Sequence, residues 1–159
     1  MILKKPTIPL IAIILILASC KIDLNMNSIK HPDEIREEII LFLSYAPENI
    51  KIKPIEIILT TNLQDRKGTQ VSGLYIHRQH EVYLDTTSYY YRNMRIALIM
   101  HELGHAILDR DEVTAIREKD DPWYPYTKSF MDLKSATPRD ILLNDKPELL
   151  EILMNELFL

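Results

Sequence analysis

The chain has 159 residues, a net charge of −4 and an isoelectric point near 5.7. The acidic balance argues against nucleic acid as a partner, and the single cysteine excludes a disulfide within the chain. The length suits one domain, without internal repeats or low-complexity tracts, and we expect a monomer.

The first twenty residues have the layout of a secretory signal. Lys4 and Lys5 precede an apolar run over 8–17, which is about half the length that a membrane-spanning helix needs. The run ends in LASC at Cys20, which resembles the lipobox of bacterial lipoproteins. The resemblance implies a signal peptide over 1–19, a lipid on Cys20, and attachment to a membrane of the bacterial cell envelope, facing the periplasm or the exterior. An uncleaved anchor, or an ordinary signal peptide with an incidental cysteine, is the alternative.

The rest of the chain divides into a tether, residues 20–31, and one domain, residues 32–159. The tether is polar with scattered apolar residues and is predicted to be flexible. A helix is predicted from Pro32 to Tyr45, because apolar residues recur there at helical spacing and give it a core face. That face consists of Ile35, Ile39, Phe42 and Leu43.

Three short runs of β-branched and apolar residues are predicted to be strands, at 55–60, 71–76 and 81–85. The last two would form a hairpin with alternating faces. Leu74, Ile76, Val82 and Leu84 are expected to face the core, and Tyr75 and Tyr83 to face away. His77 and His80, near the hairpin turn, are expected to be surface residues, since no ligand spacing links them.

The stretch Ile96–Asp111 reads IALIMHELGHAILDRD and contains the pattern HExxH. On a helix, residues four apart lie about 40° apart around the axis, so His101 and His105 point to one side. Two neutral imidazoles on one face can hold a divalent metal ion, most often zinc. Glu102 lies about 100° further round, where its carboxylate could take a proton from a metal-bound water.

The helix that carries this pattern is apolar around most of its circumference, which is typical of a buried helix. Two histidines and a glutamate are costly to bury without partners, and a metal ion supplies such partners. We therefore expect one zinc ion per chain. The alternative is a pair of core histidines bonded to backbone carbonyl groups.

The pattern is similar to that of the metzincins, in which HExxHxxGxxH provides three zinc ligands and a methionine turn follows. His101, Glu102 and His105 match its first part. Asp111 stands at the third-ligand position, as in the HExxHxxxxxD variant found among small secreted bacterial neutral proteases. Leu108 replaces the glycine that normally permits the turn before the third ligand.

Two carboxylates are candidates for the third ligand. A continued helix would aim Asp111 roughly 80° away from the ligand direction, so the helix must end near Leu108 or Asp109 and the chain must turn back. Asp109 tolerates a left-handed conformation better than most residues other than glycine, and could make the turn. Glu112 is the alternative ligand, with a longer reach.

The segment Ser129-Phe130-Met131 resembles the methionine turn. The resemblance implies that Met131 packs beneath the ligand imidazoles; an ordinary core methionine is the alternative. Some relatives carry a tyrosine that assists at the metal two residues later, where this chain has Leu133.

The aromatic segment 120–126 either walls the substrate pocket or covers the core. C-terminal apolar residues predict helices separated at Pro147.

These elements predict an α+β domain. The resemblance further implies a small zincin-like, metzincin-type fold. It would have an N-terminal helix, a short twisted and mostly parallel sheet with an antiparallel edge strand, a buried active-site helix, the methionine turn and C-terminal helices.

The resemblance implies a zinc-dependent endopeptidase in which Glu102 is the general base and a peptide substrate pairs with the edge strand, for which 81–85 is the candidate. One alternative is a catalytically inactive zincin-like lipoprotein that binds a partner. Another is the second large HExxH group, whose third ligand is a glutamate on a downstream helix, here Glu148 or Glu151.

Overall fold

The structure is a computed structural model that describes residues 25–88, 92–111, 129–131 and 147–159. The predicted signal segment with Cys20, the alternative ligand Glu112, the aromatic segment 120–126 and Leu133 lie outside the described residues. In the part of the chain that is described, no helix has both the length and the apolarity needed to cross a membrane.

The domain is α+β, as predicted, with a small mixed sheet packed against helices. The strands are β1 (Ile29–Lys30), β2 (Ile55–Thr60), β3 (Gly73–Ile76) and β4 (Glu81–Asp85). Their order in the sheet is β1-β2-β4-β3. β2 runs parallel to both β1 and β4, whereas β3 is antiparallel to β4. β2 and β4 have the predicted bounds, because each is an apolar, β-branched run.

The first strand corrects the predicted end of the tether. β1 pairs in parallel with the start of β2, and both Met26 and Ile29 are buried in the core. Residues 25–31 therefore belong to the folded domain. A strand of two residues carries too little alternation to be recognised from its sequence, since that signal needs at least four residues.

Three α-helices accompany the sheet in the described residues. α1 (Arg36–Tyr45) follows a 3-10 turn at Asp33–Ile35, α2 (Arg92–Leu108) carries HExxH, and α3 (Pro147–Leu157) lies near the C-terminus. α2 packs on β3 and β4, and α1 packs on α2 and α3. The predicted core face of the first helix is confirmed, because all of its members are buried. They are Ile35, Ile39, Phe42 and Leu43.

The predicted β3–β4 hairpin is present. However, the residues of β3 that face the helices are not the ones predicted to do so. Tyr75 lies opposite Val82, and Leu74 lies opposite Tyr83. Residues directly opposite each other share a face of the sheet. Val82 is buried, as predicted, so Tyr75 lies on the core face. The prediction that Leu74 and Ile76 face the core is therefore wrong.

The length of the hairpin turn explains the difference. Residues 77–80 form the link, so Ile76 pairs with Glu81, and odd-numbered residues of β3 share a face with even-numbered residues of β4. The same pairing makes β4 an interior strand, with β2 on one side and β3 on the other. The prediction that 81–85 is the edge strand is wrong, and β3 occupies the edge of the described sheet.

Candidate functional site

The two histidines of HExxH lie on the last turns of α2 with their imidazoles facing each other. The ring centroids are 4.8 Å apart and the rings are nearly perpendicular, at 86°. Nε2 of His101 lies 3.2 Å from Nε2 of His105. Nδ1 of His101 lies 2.8 Å from the carbonyl oxygen of Phe130, and Nδ1 of His105 lies 2.7 Å from that of Arg110.

These carbonyl contacts determine which ring nitrogen carries the hydrogen. A carbonyl oxygen only accepts hydrogen bonds, so each Nδ1 donates. In the neutral imidazole, each Nε2 then keeps its lone pair and faces the other Nε2 at 3.2 Å. Such a pair favours a cation between the nitrogens, either a proton or a metal ion. In a tetrahedral zinc site, two nitrogen ligands that each lie about 2.0–2.1 Å from the ion are about 3.3 Å from each other. The distance between the two Nε2 atoms therefore fits two ligands of one zinc ion.

The segment that resembles the methionine turn packs against the part of α2 that carries this pair. Phe130 supplies the carbonyl that orients His101, and the backbone N–H of Met131 donates to Ser129 Oγ at 3.0 Å. Met131 is fully buried and packs on Gly104, where a Cβ would lie 2.5 Å from its sulfur. The glycine within HELGH thus lets the methionine approach the helix that carries both histidines.

Glu102 is buried against the edge strand β3, where a second glycine allows close packing. The residue is 4% exposed. It packs on Gly73 of β3, where a Cβ would lie 2.6 Å from the Glu102 Cδ and 2.7 Å from its Cγ. Only glycine at this position lets β3 cross the carboxylate so closely. The sheet edge and the glutamate of HExxH are thereby held together.

The helical path ends directly after α2, as a third ligand at Asp111 would require. α2 ends at Leu108, and Asp109 adopts a left-handed conformation with φ of +53°. The backbone N–H of Arg110 then donates to Gly104 O at 3.1 Å and closes the helix end. The prediction that Asp109 makes the turn is confirmed. The left-handed residue stands one position later than the glycine of the metzincin pattern, whose place is taken by Leu108.

The predicted third ligand is not brought into a ligand cluster by this turn. Asp111 is exposed and lines the same cavity as the histidines. Among the described residues, no three histidine, cysteine, aspartate or glutamate side chains are grouped closely enough to hold a metal ion. Glu148 and Glu151 are exposed on α3 and do not line the cavity. The identity of a third ligand therefore stays a prediction.

A cavity of about 540 Å³ lies between α2 and the edge strand. Its middle is formed by His101, Glu102 and His105, opposite Gly73. The lining residues that come before the two histidines on α2, and before Gly73 in the chain, are largely apolar, whereas those that come after them include titratable groups. The apolar residues are Val71, Met94, Ala97 and Leu98, and the titratable ones are Tyr75, His77, Asp109 and Asp111.

No protein-family model matches the chain, and no curated protein or solved structure matches it.

Tyr75 lines the cavity because it lies on the core face of β3, and His77 lines it from the hairpin turn that follows. Burial, followed by the negative charge of Asp109, raises the pKa of Tyr75, so its hydroxyl stays protonated well above neutral pH. The hydroxyl oxygen lies 3.3 Å from His80 Nδ1, and the ring of His77 lies 5.9 Å from that of Tyr75. His77 is exposed, as expected, and also lines the cavity.

A buried carboxylate at the end of β4 lies next to segments that line the cavity. Asp85 is fully buried; its Oδ1 accepts hydrogen bonds from the backbone and hydroxyl of Thr87, and its Oδ2 accepts one from Leu63 N at 2.9 Å. The Thr87 hydroxyl, helped by backbone N–H groups and opposed by burial, lowers the pKa of Asp85. The neighbouring segments, which include Ser72 and Ser88, line the cavity.

Sequence reasoning missed three residues of this site. Gly73 is one of only three glycines in the chain, and a glycine inside a predicted strand is itself a signal of close backbone approach. Tyr75 was assigned to the wrong face. Arg110, whose carbonyl orients His105, gives no recognisable sequence signal, because its role depends on where the chain turns.

Proposed function

We propose that this protein is a zinc-dependent endopeptidase. The observation that carries the proposal is the convergence of the two Nε2 atoms of His101 and His105, 3.2 Å apart, with each Nδ1 committed to a carbonyl oxygen. A buried carboxylate, Glu102, lines the same cavity. A pair of core histidines that served only packing would have no need of a cavity beside it.

The proposed chemistry is hydrolysis of a peptide bond by water. When bound, zinc would lower the pKa of a coordinated water towards about 7 and polarise the scissile carbonyl group. His101 and His105 would hold the ion. Glu102 would take the proton from the attacking water and deliver it to the leaving amine. Gly73 supports this role, because the strand packed on Glu102 restricts where its carboxylate can lie.

A carboxylate after the turn would complete the ligand set. In the metzincin pattern, the third ligand stands three residues after the glycine that makes the turn. The turn here is made by Asp109, and the residue three positions further on is Glu112. This shift favours Glu112 over Asp111, which the sequence pattern alone had placed first. A carboxylate oxygen is an acceptable zinc ligand in either case.

The substrate would be an extended peptide bound along β3. The outer edge of this strand has no partner strand within the described residues, and an exposed sheet edge can accept a further strand. Antiparallel pairing, the more stable kind per residue, would direct the part of the peptide after the scissile bond towards the largely apolar lining residues. We therefore propose a preference for an apolar side chain after the cleaved bond.

The topology and the methionine also fit the zincin-like fold that the sequence pattern implies. Three parallel strands with an antiparallel strand at the edge, and a methionine packed against the helix with HExxH, are the features expected of it. With the lipobox at Cys20, the proposal extends to a lipoprotein of the bacterial cell envelope. Incorporation of labelled palmitate into the wild type, and not into Cys20→Ala, would test this.

Digestion of a peptide library by the purified protein tests the catalytic proposal. We expect cleavage that a zinc chelator stops and added zinc restores. Glu102→Gln should lower turnover by at least about a hundredfold and keep its zinc, whereas Glu148→Gln, an exposed carboxylate on α3, should match the wild type. Bound zinc without any cleavage would favour the alternative, a zincin-like lipoprotein that binds a partner. Equal turnover in Glu102→Gln would contradict the role of that residue.

A further inference from the structure

Arg110 joins the turn after α2 to the end of α3 through both its backbone and its side chain. Its carbonyl oxygen accepts the hydrogen bond of His105 Nδ1 at 2.7 Å. Its backbone N–H donates to Gly104 O. Its guanidinium donates to Glu156 Oε1 at 2.7 Å and lies 3.3 Å from the carbonyl oxygens of Glu156 and Leu157.

The guanidinium is suited to the end of a helix. The last carbonyl groups of a helix lack partners within it and form the negative end of its dipole, so a cation placed there is stabilised. The side chains of Arg110 and Glu156 are 27% and 29% exposed, so water screens this pair less than a fully exposed one. Oε2 of Glu156 is buried without a hydrogen-bond partner among the described residues, which makes that carboxylate depend on Arg110.

We propose that Arg110 is a positioning residue through which the end of α3 fixes the imidazole of His105. The inference rests on the proposed function, because it treats His105 as a metal ligand. The guanidinium holds Arg110 against α3, and this in turn holds the carbonyl group that accepts the Nδ1 hydrogen. With that carbonyl in place, Nε2 keeps its lone pair and points at His101; without it, the ring is able to rotate or to carry its hydrogen on Nε2.

The geometry offers a matched control on the same helix. Arg92 of α2 lies 3.5 Å from Glu37, and the two side chains are 63% and 78% exposed. This pair links α2 to α1 and contacts neither histidine. Its loss should therefore have the small effect on stability that is typical of a surface ion pair, and no effect on a metal bound at the other end of α2.

Competition with a chelator of known affinity would measure zinc binding to the wild-type protein and to its variants. Loss of an outer-shell partner typically weakens metal binding by about 10–100-fold, and we expect this of Arg110→Gln. Glu156→Gln should weaken it less, because both carbonyl contacts of the guanidinium remain. Arg92→Gln should bind zinc within about twofold of the wild type. Arg110→Lys, which keeps the charge but not the planar fork, should fall between wild type and Arg110→Gln.

A second readout separates positioning from simple stability. In the zinc-free protein, nitrogen-15 NMR of His105 should show the hydrogen on Nδ1 in the wild type and a mixture of the two tautomers in Arg110→Gln. Unchanged zinc affinity and an unchanged tautomer, with only a lower melting temperature, would overturn the inference. If Arg110→Gln fails to fold, Glu156→Gln and Arg110→Lys decide by the same two readouts. A wild type that binds no zinc would instead contradict the proposed function.

Discussion

Gly73 of the edge strand lies directly against the carboxylate of Glu102, so closely that a Cβ would come within 2.6 Å of Cδ. The contact joins the end of the sheet to the helix that carries both histidines. It also predicts how the site responds to one added methyl group.

Gly73→Ala should therefore impair catalysis more than zinc binding. The methyl group would force the Glu102 carboxylate away from its position, so we expect turnover to fall by about tenfold or more, while the zinc content stays near that of the wild type. Gly68→Ala is the control: φ at Gly68 is +79°, but nothing lies within 4 Å. It should lower the free energy of unfolding by about 1 kcal/mol and leave turnover unchanged. Turnover of Gly73→Ala equal to that of the wild type would rule out this contact as a constraint on the base.

Met131 and Gly104 should be coupled in stability. Met131→Ala empties a fully buried site and should cost about 2–5 kcal/mol. Gly104→Ala adds a methyl group where the Met131 sulfur would be 2.5 Å away, and such overpacking costs about 1–3 kcal/mol. The double variant should be more stable than the sum of the two losses predicts, because the methyl group then occupies the vacated space.

Urea unfolding of the four proteins in this cycle measures the coupling. The same cycle with Met154→Ala, which removes another fully buried methionine, is the control and should be additive within about 0.5 kcal/mol. Strict additivity of Gly104→Ala with Met131→Ala would contradict the packing of the methionine against the helix.

Asp85 should make the fold sensitive to acid. Its pKa is lowered in the folded state, chiefly by the Thr87 hydroxyl, so its contribution to stability is present above the pKa of about 3.9 that a free aspartate has. The contribution is lost as the pH falls through the lower folded-state value. Asp85→Asn should be less stable than the wild type at neutral pH, and the difference should shrink below about pH 4.

Thermal unfolding between pH 2.5 and pH 7 would show this convergence. The control is Glu48→Gln, which alters an exposed carboxylate and should follow the wild type throughout. If the difference between Asp85→Asn and the wild type stayed constant across that range, Asp85 would not be the titrating group.

The two candidate third ligands are separable by substitution. Because the turn occurs at Asp109, we expect Glu112→Ala to weaken zinc binding by at least about tenfold, and Asp111→Ala to weaken it by less. Chelator competition gives both values, and Asp111→Asn with Glu112→Gln repeats the comparison with the side-chain size kept. The opposite order would assign the ligand to Asp111, as the sequence pattern alone suggests.

Local patterns predicted much of this fold. β2 and β4, the core face of α1 and the end of α2 follow from apolar periodicity and from one residue that tolerates a left-handed conformation. The face of β3 did not follow, because it depends on the pairing across residues 77–80 and not on the alternation within either strand. β1 is too short for its pattern to be recognised.

The part of the candidate site that lies on one helix was predictable from the sequence. His101, Glu102 and His105 line one cavity because their spacing alone brings them to neighbouring positions on α2. The contacts from other elements come from distant parts of the chain: Gly73 from the sheet edge, the Phe130 carbonyl from the segment that resembles the methionine turn, and Glu156 from α3. Such contacts depend on tertiary packing, which no local pattern encodes.

The zinc content and coordination of the purified protein test the central claim most directly. Elemental analysis should find one zinc ion per wild-type chain and almost none in His101→Ala or His105→Ala. X-ray absorption of the wild type should show two imidazole nitrogens at about 2.0–2.1 Å, together with oxygen ligands. A wild type without zinc, or an equal zinc content in the two histidine variants, would contradict the account.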